Sequence, residues 1–467
     1  MENLRDRRSG PVAADKGVSP APRAAVIGAG WAGLAAAQRL SRRGFAVTVY
    51  EASREAGGRA RTVVHRTGEL FPQPLDNGQH LMLGAYEQTL ALMRELGAEP
   101  EARLLRTPLR LPSADGVFDL RAPRLPSPLH AAWALLSARG LTPAGRWAAL
   151  RFVAGLKKLH WYPPGGATVA ELVARLGQPQ AVVARLWRPL CLAALNTPPD
   201  QACARLFAAV LRDSLDAPRQ HSDLLFPRCD LSSLWPRAAA ARHAMRYGHA
   251  VRQLTVDENA VIVDGERYDV AALATPPGVA AQLLPHHPRM CEARRAMLSF
   301  RYLPIATLTL CLAAPFPLDF PMLMLAEAPA RGHLGQWVFD RGTLLGRADG
   351  RGELAVVVSA ATPLLERDHA ASAAALIEQL REQLCRRSGR RLPTVLGWKL
   401  LVDKRATFAA TPNLFRPDNA TAWPRLALCG DWTDTGYPAT LEGAVRSGLR
   451  AADLLADALA QATRRNR

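Results

Sequence analysis

The fold of this chain is decided near its start by residues 24–51, AAVIGAGWAGLAAAQRLSRRGFAVTVYE. A short apolar run leads directly into a G-x-G-x-x-G turn that begins at Gly28. Small and apolar residues then recur at helical spacing, and residues 45–50 are apolar and rich in β-branched side chains. This order predicts strand, glycine turn, helix and strand, which together form one βαβ unit of a parallel sheet.

The glycine turn has the features of a dinucleotide-binding turn. Gly28 allows the tight turn, Gly30 lets the backbone approach a pyrophosphate, and Gly33 lets the helix pack closely on the strand. The start of the helix, at Trp31 and Ala32, presents free N–H groups and the positive end of the helix dipole to phosphates. A glycine-rich turn alone is a weak signal, but its position between a strand and a helix strengthens it.

Two features follow the turn. Glu51 comes just after the second predicted strand, where a carboxylate can accept hydrogen bonds from ribose hydroxyls. Residues 51–62, EASREAGGRART, contain a second glycine loop in which Gly58 allows close backbone approach and Arg59 can neutralise a phosphate. A domain that binds only a nicotinamide nucleotide does not need this second loop.

The far end of the chain carries a third motif. Gly430 and Asp431 follow a predicted buried strand, and residues 438–446, PATLEGAVR, are predicted to open the last helix. Together with the first glycine turn, Glu51 and the GGR loop, this motif resembles the flavin-dependent amine oxidase and phytoene desaturase superfamily. The resemblance implies an α/β fold in which a Rossmann-like FAD-binding domain is interleaved with a substrate domain of mixed sheet and helices.

The resemblance also implies which residues hold FAD. A central strand near residue 251 lies on the adenine side, the Gly-Asp pair meets the ribityl phosphate, and the last helix points its N-terminus at the flavin. That N-terminus stabilises the negative charge of reduced flavin by roughly 0.3–2 kcal/mol. The FAD-binding residues predicted in this way are Gly28, Gly30, Trp31, Ala32, Gly33, Glu51, Ala52, Gly58, Arg59, Val251, Gly430, Asp431, Leu441 and Glu442.

The chain between these motifs predicts the domain organisation. Residues 86–241 are rich in Ala, Leu and Arg at helical spacing, which predicts a mainly helical insertion. Short strands are predicted at 251–256, 260–263, 270–274 and 426–428, further strands within 300–358, and helices at 370–387 and 441–460. The predicted parts are a disordered lead at 1–23, FAD-binding segments at 24–86, 242–285 and 416–460, a helical substrate part at 87–241, a substrate sheet and helix at 286–415, and a tail at 461–467.

Composition excludes several classes of protein. The 467 residues carry 59 basic and 41 acidic side chains, for a net charge of +18, but the basic residues are scattered and accompany no nucleic-acid-binding pattern. Seven cysteines without a CxxC pair predict reduced thiols in a cytoplasmic protein and no metal site. Residues 1–20 lack the apolar core of a secretory signal. Residues 302–326 are apolar, but their four prolines and one aspartate predict two buried strands joined by a turn rather than a spanning helix.

Two absences argue against amine oxidation within the superfamily. Thr440 stands where amine oxidases place an aromatic residue, and residues 303–308 contain no lysine to place over the flavin. By contrast, residues 76–80, DNGQH, and residues 187–198, WRPLCLAALNTP, resemble the squalene-associated branch of this superfamily. That resemblance implies a C30 isoprenoid substrate, with the allylic alcohol hydroxysqualene reduced to squalene in squalene and hopanoid synthesis.

Such a reduction needs an acid for the departing hydroxyl, a hydride from reduced flavin and an apolar pocket. Asp76 and His80 are the candidate acids, because their segment lies near the flavin in the related proteins. The alternative role for Asp76 is a carboxylate that caps a turn, and the alternative role for His80 is a structural histidine bonded to backbone. Trp187, Asn196 and Thr440 are candidates for the substrate pocket, although the first two equally fit helix packing and helix termination.

A lipid-soluble substrate and a reduced cofactor imply two partners, a membrane and an electron donor. We expect a peripheral membrane contact on the inner face of the membrane, to which the Arg-rich residues 141–161 are suited, unless they form a solvated basic face. No second dinucleotide turn is present, so NADPH or a redox protein both remain open as the electron donor. The alternative functions are a phytoene-type desaturase, an amine oxidase, and a non-catalytic escort of prenylated proteins, against which the intact glycine motifs argue.

Overall fold

The computed structural model describes residues 21–64 and 68–465. The strands are β1 (Arg23–Ile27), β2 (Ala46–Glu51), β3 (Thr62–Val64), β4 (Leu75–Asp76), β5 (Met82–Leu83), β6 (Leu104–Thr107), β7 (Arg110–Pro112), β8 (Asp119–Arg121), β9 (Leu224–Pro227), β10 (Ala244–Tyr247), β11 (Leu254–Val256), β12 (Val261–Val263), β13 (Glu266–Tyr268), β14 (Val270–Leu273), β15 (Tyr302–Leu312), β16 (Met322–Met324), β17 (Trp337–Phe339), β18 (Gly352–Val358), β19 (Val395–Phe408) and β20 (Leu426–Leu428).

The helices connect these strands and cover the sheets. They are α1 (Trp31–Arg42), α2 (Glu87–Glu95), α3 (Pro100–Arg103), α4 (Leu129–Leu136), α5 (Pro143–Lys158), α6 (Val169–Arg175), α7 (Gln180–Val182), a π-helical turn (Val183–Trp187), α8 (Arg188–Leu195), α9 (Ala204–Leu215), α10 (Leu231–Leu234), α11 (Pro236–Ala240), α12 (Pro277–Leu283), α13 (Cys291–Ser299), α14 (Arg341–Leu344), α15 (Thr362–Leu365), α16 (His369–Ser388) and α17 (Leu441–Arg465). Three 3₁₀ turns cover Arg219–Ser222, Pro288–Met290 and Pro329–Arg331.

The first sheet is the parallel sheet that the N-terminal motif predicts. Its order is β10-β2-β1-β14-β20, and every neighbouring pair is parallel. Side chains of β1 alternate between its faces: Ala24 and Val26 cluster with residues of α1 and α17, while Ala25 and Ile27 cluster with residues of β12 and the helical part. Three distant segments of the chain therefore build one sheet, which confirms the α/β fold class.

The second sheet is antiparallel, in the order β16-β17-β18-β15-β19. One face packs against α16, where Leu308 and Val356 cluster with Leu380 of that helix. The opposite face presents Trp337 and Val357 to a large internal cavity. This alternation follows from the two-residue period of strands, and it makes the second sheet one wall of the cavity.

The segment between the two sheets is less helical than the sequence predicts. Four strands, β6 to β9, lie within residues 86–241, and β9 pairs with both β5 and β6. These strands have only three or four residues each and no clear alternation, so the helical spacing around them hides them. Helices α4 to α9 make up most of the remainder of this segment.

Several predicted boundaries are wrong. Arg23 already belongs to β1, so the lead ends before it, and residues 1–20 lie outside the described residues. The last helix continues to Arg465, which leaves no separate tail at residue 461. The strand predicted at 251–256 begins only at Leu254. The other predicted domain boundaries stay predictions.

The apolar stretch at 302–326 contains the two predicted strands, β15 and β16. They belong to the same sheet but do not pair, because β17 and β18 lie between them. Among the described residues, no helix combines the length and the apolar character that crossing a bilayer requires. The same residues contain no cluster of three His, Cys, Asp or Glu side chains arranged for a metal ion.

Candidate functional site

A large cavity of about 1480 Å³ lies between the parallel sheet and the second sheet. Ordinary small-molecule pockets are about 300–1,000 Å³, so this cavity can hold more than one small ligand. Motifs from both ends of the chain meet there. The predicted FAD-binding residues that line it are Gly28, Gly30, Trp31, Ala32, Glu51, Ala52, Gly58, Arg59, Val251, Gly430, Asp431 and Leu441.

Backbone geometry at the first turn explains its glycines. Gly28 has a φ of +108°, and a Cβ there would lie 2.6 Å from the carbonyl oxygen of Ala274. At Gly30, by contrast, the nearest atom to such a Cβ is the Gly58 Cα at 3.8 Å, so the space beside it is open. Gly57 donates its N–H to the Ala29 carbonyl at 2.8 Å, which holds the two glycine loops together. The result is a concave backbone surface without side chains, which fits a pyrophosphate.

Glu51 is fixed at the end of β2 by two backbone groups. One carboxylate oxygen accepts the Ala29 N–H at 2.7 Å, and the other accepts the Ser53 N–H at 2.8 Å. Each oxygen retains a lone pair, and the side chain lines the cavity. The carboxylate is therefore oriented before any ligand arrives and can accept hydrogen bonds from two adjacent hydroxyls, as a ribose presents them.

Arg59 joins the two ends of the chain. Its Nη2 lies 2.5 Å from Oδ1 of Asp431, and its Nη1 donates to the Ala406 carbonyl at 2.7 Å. Asp431 is nearly buried, whereas 43% of the Arg59 side chain is exposed to the cavity. The guanidinium is thus already paired, although it remains within the lining from which it can also meet a phosphate.

The structure places two of the predicted cofactor residues outside the cavity. A Cβ on Gly33 would lie 1.9 Å from the Gly28 carbonyl oxygen, so this glycine permits close packing of α1 on the turn, and it does not line the cavity. Glu442 is fully buried, and its carboxylate accepts the N–H groups of Gln88 and Thr89 at 3.2 and 3.0 Å. Arg446 also donates to it at 2.8 Å. The Glu442 carboxylate therefore caps the N-terminus of α2 and is not free to meet a ligand, so a cofactor role of Glu442 stays a prediction that only its backbone can fulfil.

The other end of the cavity is apolar. Its walls come from β7, β8, α4, the π-helical turn, α8 and α9 of the helical part and from the inner face of the second sheet. The apolar lining residues are Leu109, Leu111, Leu120, Ala131, Ala134, Leu135, Leu186, Trp187, Leu190, Phe207, Val210, Leu211, Met322, Trp337, Phe339 and Val357. The nucleotide-binding turns thus open directly into a chamber suited to a hydrocarbon.

The three predicted pocket residues all line the cavity, and each of them also has a structural role. Trp187 donates its Nε1–H to the Gln178 side chain at 2.8 Å and packs on Phe152. Asn196 ends α8 in a left-handed conformation, and its side-chain amide bonds to groups of β15 and β19 and accepts the N–H of Ala360, just after β18. Thr440 precedes α17 and accepts the Gly443 N–H at 3.0 Å, which caps that helix.

His80 lines the cavity, with its Nδ1 2.9 Å from the Gly78 carbonyl oxygen. That carbonyl can only accept, so Nδ1 carries the proton and Nε2 has its lone pair free in the neutral ring. Burial lowers the pKa of His80 because it penalises the charged imidazolium.

Asp76 lies behind His80 rather than in the main cavity. Its Oδ1 accepts the Thr62 hydroxyl and the Leu231 N–H, both at 3.1 Å. Burial raises the pKa of Asp76 to about 6. Asp76 and His80 both border a second, small cavity of about 10 Å³, which Arg341 also lines. A space of this size is on the order of one water molecule.

The pKa of Asp76 predicts a pH-dependent stability. Because the folded value of about 6 exceeds the ordinary 3.8, the folded protein binds more protons between these values, and its free energy of unfolding falls as pH rises through that window. Asp76→Asn removes this loss. Denaturant titrations at pH 4 and pH 7 should show the variant gaining about 1–3 kcal/mol on the wild type over this interval.

Asp230 provides the matched control, because it bonds to the same Thr62 hydroxyl. Burial opposes its ionisation, but hydrogen bonds from Ser233 and Thr62 leave the pKa of Asp230 below its ordinary value. The free energy of unfolding of Asp230→Asn should therefore fall relative to that of the wild type as pH rises, which is the opposite of the result expected for Asp76→Asn. Equal pH dependence in the two variants would contradict the assignment.

Sequence reasoning missed several polar groups in the cavity. Trp337 and Tyr437 line it, and their Nε1 and hydroxyl are buried without a partner among the described residues. Lys404 and Asp403 from β19 line it as well. Tyr437 adjoins the last glycine-rich motif and could have been included from that position, whereas nothing in the sequence around Trp337 marks it as part of a site.

The comparisons with known proteins agree with this geometry. The family model described as flavin-containing amine oxidoreductase matches residues 31–456, so the chain belongs to this family. The match confirms the predicted FAD cofactor. Among solved structures, cyclohexylamine oxidase from Brevibacterium oxydans has a TM-score of 0.65 at 19% identity, covers 94% of this chain, is itself covered completely, and shows the same fold.

Within that class the chain is similar to the hydroxysqualene dehydroxylases. It is 33% identical to the enzyme of Rhodopseudomonas palustris and 32% identical to that of Sinorhizobium fredii. Each alignment covers 92% of this chain and 97% of the relative. The resemblance to the squalene-associated branch is therefore confirmed.

Proposed function

We propose that this protein is an FAD-dependent oxidoreductase that reduces the allylic alcohol hydroxysqualene to squalene. The observation that carries this proposal is the single cavity in which a dinucleotide cradle opens into an apolar chamber. The near full-length similarity to hydroxysqualene dehydroxylases supports the same substrate. A long hydrocarbon with one hydroxyl group suits a chamber that has apolar walls and a few polar groups near the cofactor end.

The cradle residues fit FAD rather than a nicotinamide nucleotide alone. The first glycine turn and Glu51 would hold the adenosine and pyrophosphate half, and Gly430, Asp431 and the N-terminus of α17 would hold the flavin half. Val251 and Ala52 line the same cavity and would lie beside the adenosine. When bound and reduced, FAD supplies the hydride that the allylic carbon receives.

The reaction breaks the C–O bond, releases the hydroxyl as water and forms a C–H bond at the same carbon. The chain must therefore deliver one proton to the departing oxygen. His80 faces the cavity and acts as this acid after its Nε2, which has a free lone pair in the neutral ring, has taken up a proton from Asp76 through the one-water space that both residues border. The apolar walls around Leu135, Leu190 and Phe339 exclude bulk water from the developing cationic carbon.

Product analysis tests the proposal. Purified holoenzyme, reduced with dithionite under anaerobic conditions and mixed with hydroxysqualene, should form squalene in amounts stoichiometric with its flavin. Mass spectrometry identifies the product, and oxidised enzyme serves as the control. Absence of squalene, together with turnover of phytoene or of an amine by the oxidised enzyme, would replace this function with desaturation or amine oxidation.

Repeated turnover requires an electron donor and access to a membrane-dissolved substrate. We propose NADPH or a redox protein as donor and a peripheral contact of this cytoplasmic protein with the inner face of the membrane. Steady-state squalene formation with NADPH alone, compared with NADPH plus a cell extract, distinguishes the two donors.

A further inference from the structure

Helix α4 and the start of α5 carry an unusual group of exposed apolar side chains. Leu129, Trp133 and Leu136 are spaced along one face of α4 and are 56%, 57% and 41% exposed. Trp147 of α5 is 54% exposed, and Leu125, just before α4, is 38% exposed. Helices α4 and α5 are in contact, so these exposed side chains lie on one helix pair and on the segment that leads into it. Transfer of these side chains from water into a nonpolar phase is favourable, and an exposed apolar patch of this kind is typical of a binding surface.

The opposite face of α4 belongs to the substrate cavity. Ala131, Ala134 and Leu135 line the apolar chamber and are at most 6% exposed. One helix of eight residues therefore separates the chamber from the exposed apolar surface. A hydrocarbon that entered or left beside α4 would pass directly between the chamber and whatever covers this surface.

Charge identifies the occupant of this surface. From residue 120 to residue 170 the sequence contains seven Lys and Arg residues and no Asp or Glu. Arg121 and Lys157 form ion pairs with Asp119 and Asp216. The other basic residues of this stretch have no ion-pair partner among the described residues, and they are Arg124, Arg139, Arg146, Arg151 and Lys158. Apolar side chains within an unpaired basic rim complement an anionic lipid surface.

We infer that α4 and the start of α5, with Leu125, Leu129, Trp133, Leu136 and Trp147, form the face that docks on an anionic bilayer. This surface is called the docking face. The inference rests on the proposed function for its substrate, because only a lipid-dissolved alcohol requires this route. The docking face extends the sequence-based expectation for residues 141–161 toward α4, since Trp147, Arg151 and Lys158 lie in that segment while most of the exposed apolar side chains precede it.

Vesicle binding tests the docking face without any turnover. The holoenzyme should co-sediment with vesicles of phosphatidylethanolamine and phosphatidylglycerol, and less with phosphatidylcholine vesicles. Trp133→Ala/Trp147→Ala should weaken the partition at least about tenfold, because two interfacial aromatic anchors are lost. The matched control is Leu396→Ala/Trp398→Ala, which removes two exposed apolar side chains of β19 and should bind like the wild type.

A second variant keeps the test independent of the tryptophans. Arg151→Glu/Lys158→Glu reverses two exposed, unpaired charges and should reduce binding to anionic vesicles while leaving binding to phosphatidylcholine unchanged. Wild-type affinity in both variants, or an equal loss in the β19 control, would overturn the docking face. A protein dimer that dissociates in Trp133→Ala/Trp147→Ala without any vesicle binding would assign the surface to a second copy instead.

Activity separates this inference from the proposed function. With hydroxysqualene in detergent micelles, Trp133→Ala/Trp147→Ala should form squalene at the wild-type rate. With the substrate embedded in anionic vesicles, its rate should fall at least about tenfold, in parallel with binding. Vesicle binding without squalene formation from either source would overturn the proposed function and leave the docking face standing.

Discussion

Replacing Gly28 with alanine is expected to yield a protein that no longer retains flavin. The φ of +108° at this position is one that side chains rarely adopt, and the new Cβ would lie 2.6 Å from the Ala274 carbonyl oxygen and 2.9 Å from its carbon. Both atoms belong to the backbone of the loop that follows β14, so neither can rotate away. The turn must shift, and the helix N-terminus that would face the pyrophosphate shifts with it.

The measurement is the visible flavin absorbance of the purified variant and its dissociation constant for added FAD. We expect the constant to rise at least about 100-fold, which corresponds to the loss of roughly 3 kcal/mol of binding free energy. Squalene formation should be lost in proportion.

Gly44 is the matched control for Gly28. It also has a positive φ, of +89°, but an added Cβ would find no atom within 4 Å. Gly44→Ala should therefore cost only the conformational strain, about 1–2 kcal/mol of unfolding free energy, and should keep its flavin. Equal flavin loss in the two variants would mean that strain alone, and not the collision with residue 274, disturbs the cradle.

The sequence predicts the cofactor cradle well because its signals are local. The tight turn at Gly28 and the carboxylate of Glu51 each depend on a strand or helix within a few residues, so their spacing is sufficient. Glu442 shows where this reasoning stops. It stands in the motif that opens α17, yet its partners are Gln88 and Thr89, more than 350 positions away. No local pattern records such a capping contact.

The substrate chamber is less predictable for the same reason. Trp337 and Phe339 look like ordinary strand residues, and only the pairing of β17 between β16 and β18 places them on the cavity wall. Likewise, the exposure of Trp133 depends on which face of α4 the chamber occupies. The sequence predicts an apolar stretch in each case, but tertiary packing decides which side chains meet the substrate and which meet the outside.

His80→Ala is expected to slow dehydroxylation by about 10²–10⁴-fold, the usual contribution of a general acid. The pKa of His80 is lowered by burial, so most of the wild-type protein holds a neutral ring at neutral pH. The fraction of protonated His80 decreases as pH rises, and Asp76 behind it loses its own proton at a pKa of about 6. The single-turnover rate of the wild type should therefore decrease as pH rises above about 6. Anaerobic stopped-flow measurement of flavin reoxidation by hydroxysqualene gives this rate directly.

Gln79→Ala separates acid catalysis from a change in cavity shape. Gln79 lines the same two cavities as His80 but does not titrate, so its variant should retain the wild-type pH profile and a rate within about tenfold. His80→Ala should instead lose the pH dependence, keep its affinity for FAD and regain part of its rate when imidazole is added. If His80→Ala kept a rate within about tenfold of the wild type and an intact pH profile, the proton would reach the substrate from another group on the cavity wall. Lys404 and Tyr437 are lining residues that carry a proton they can donate.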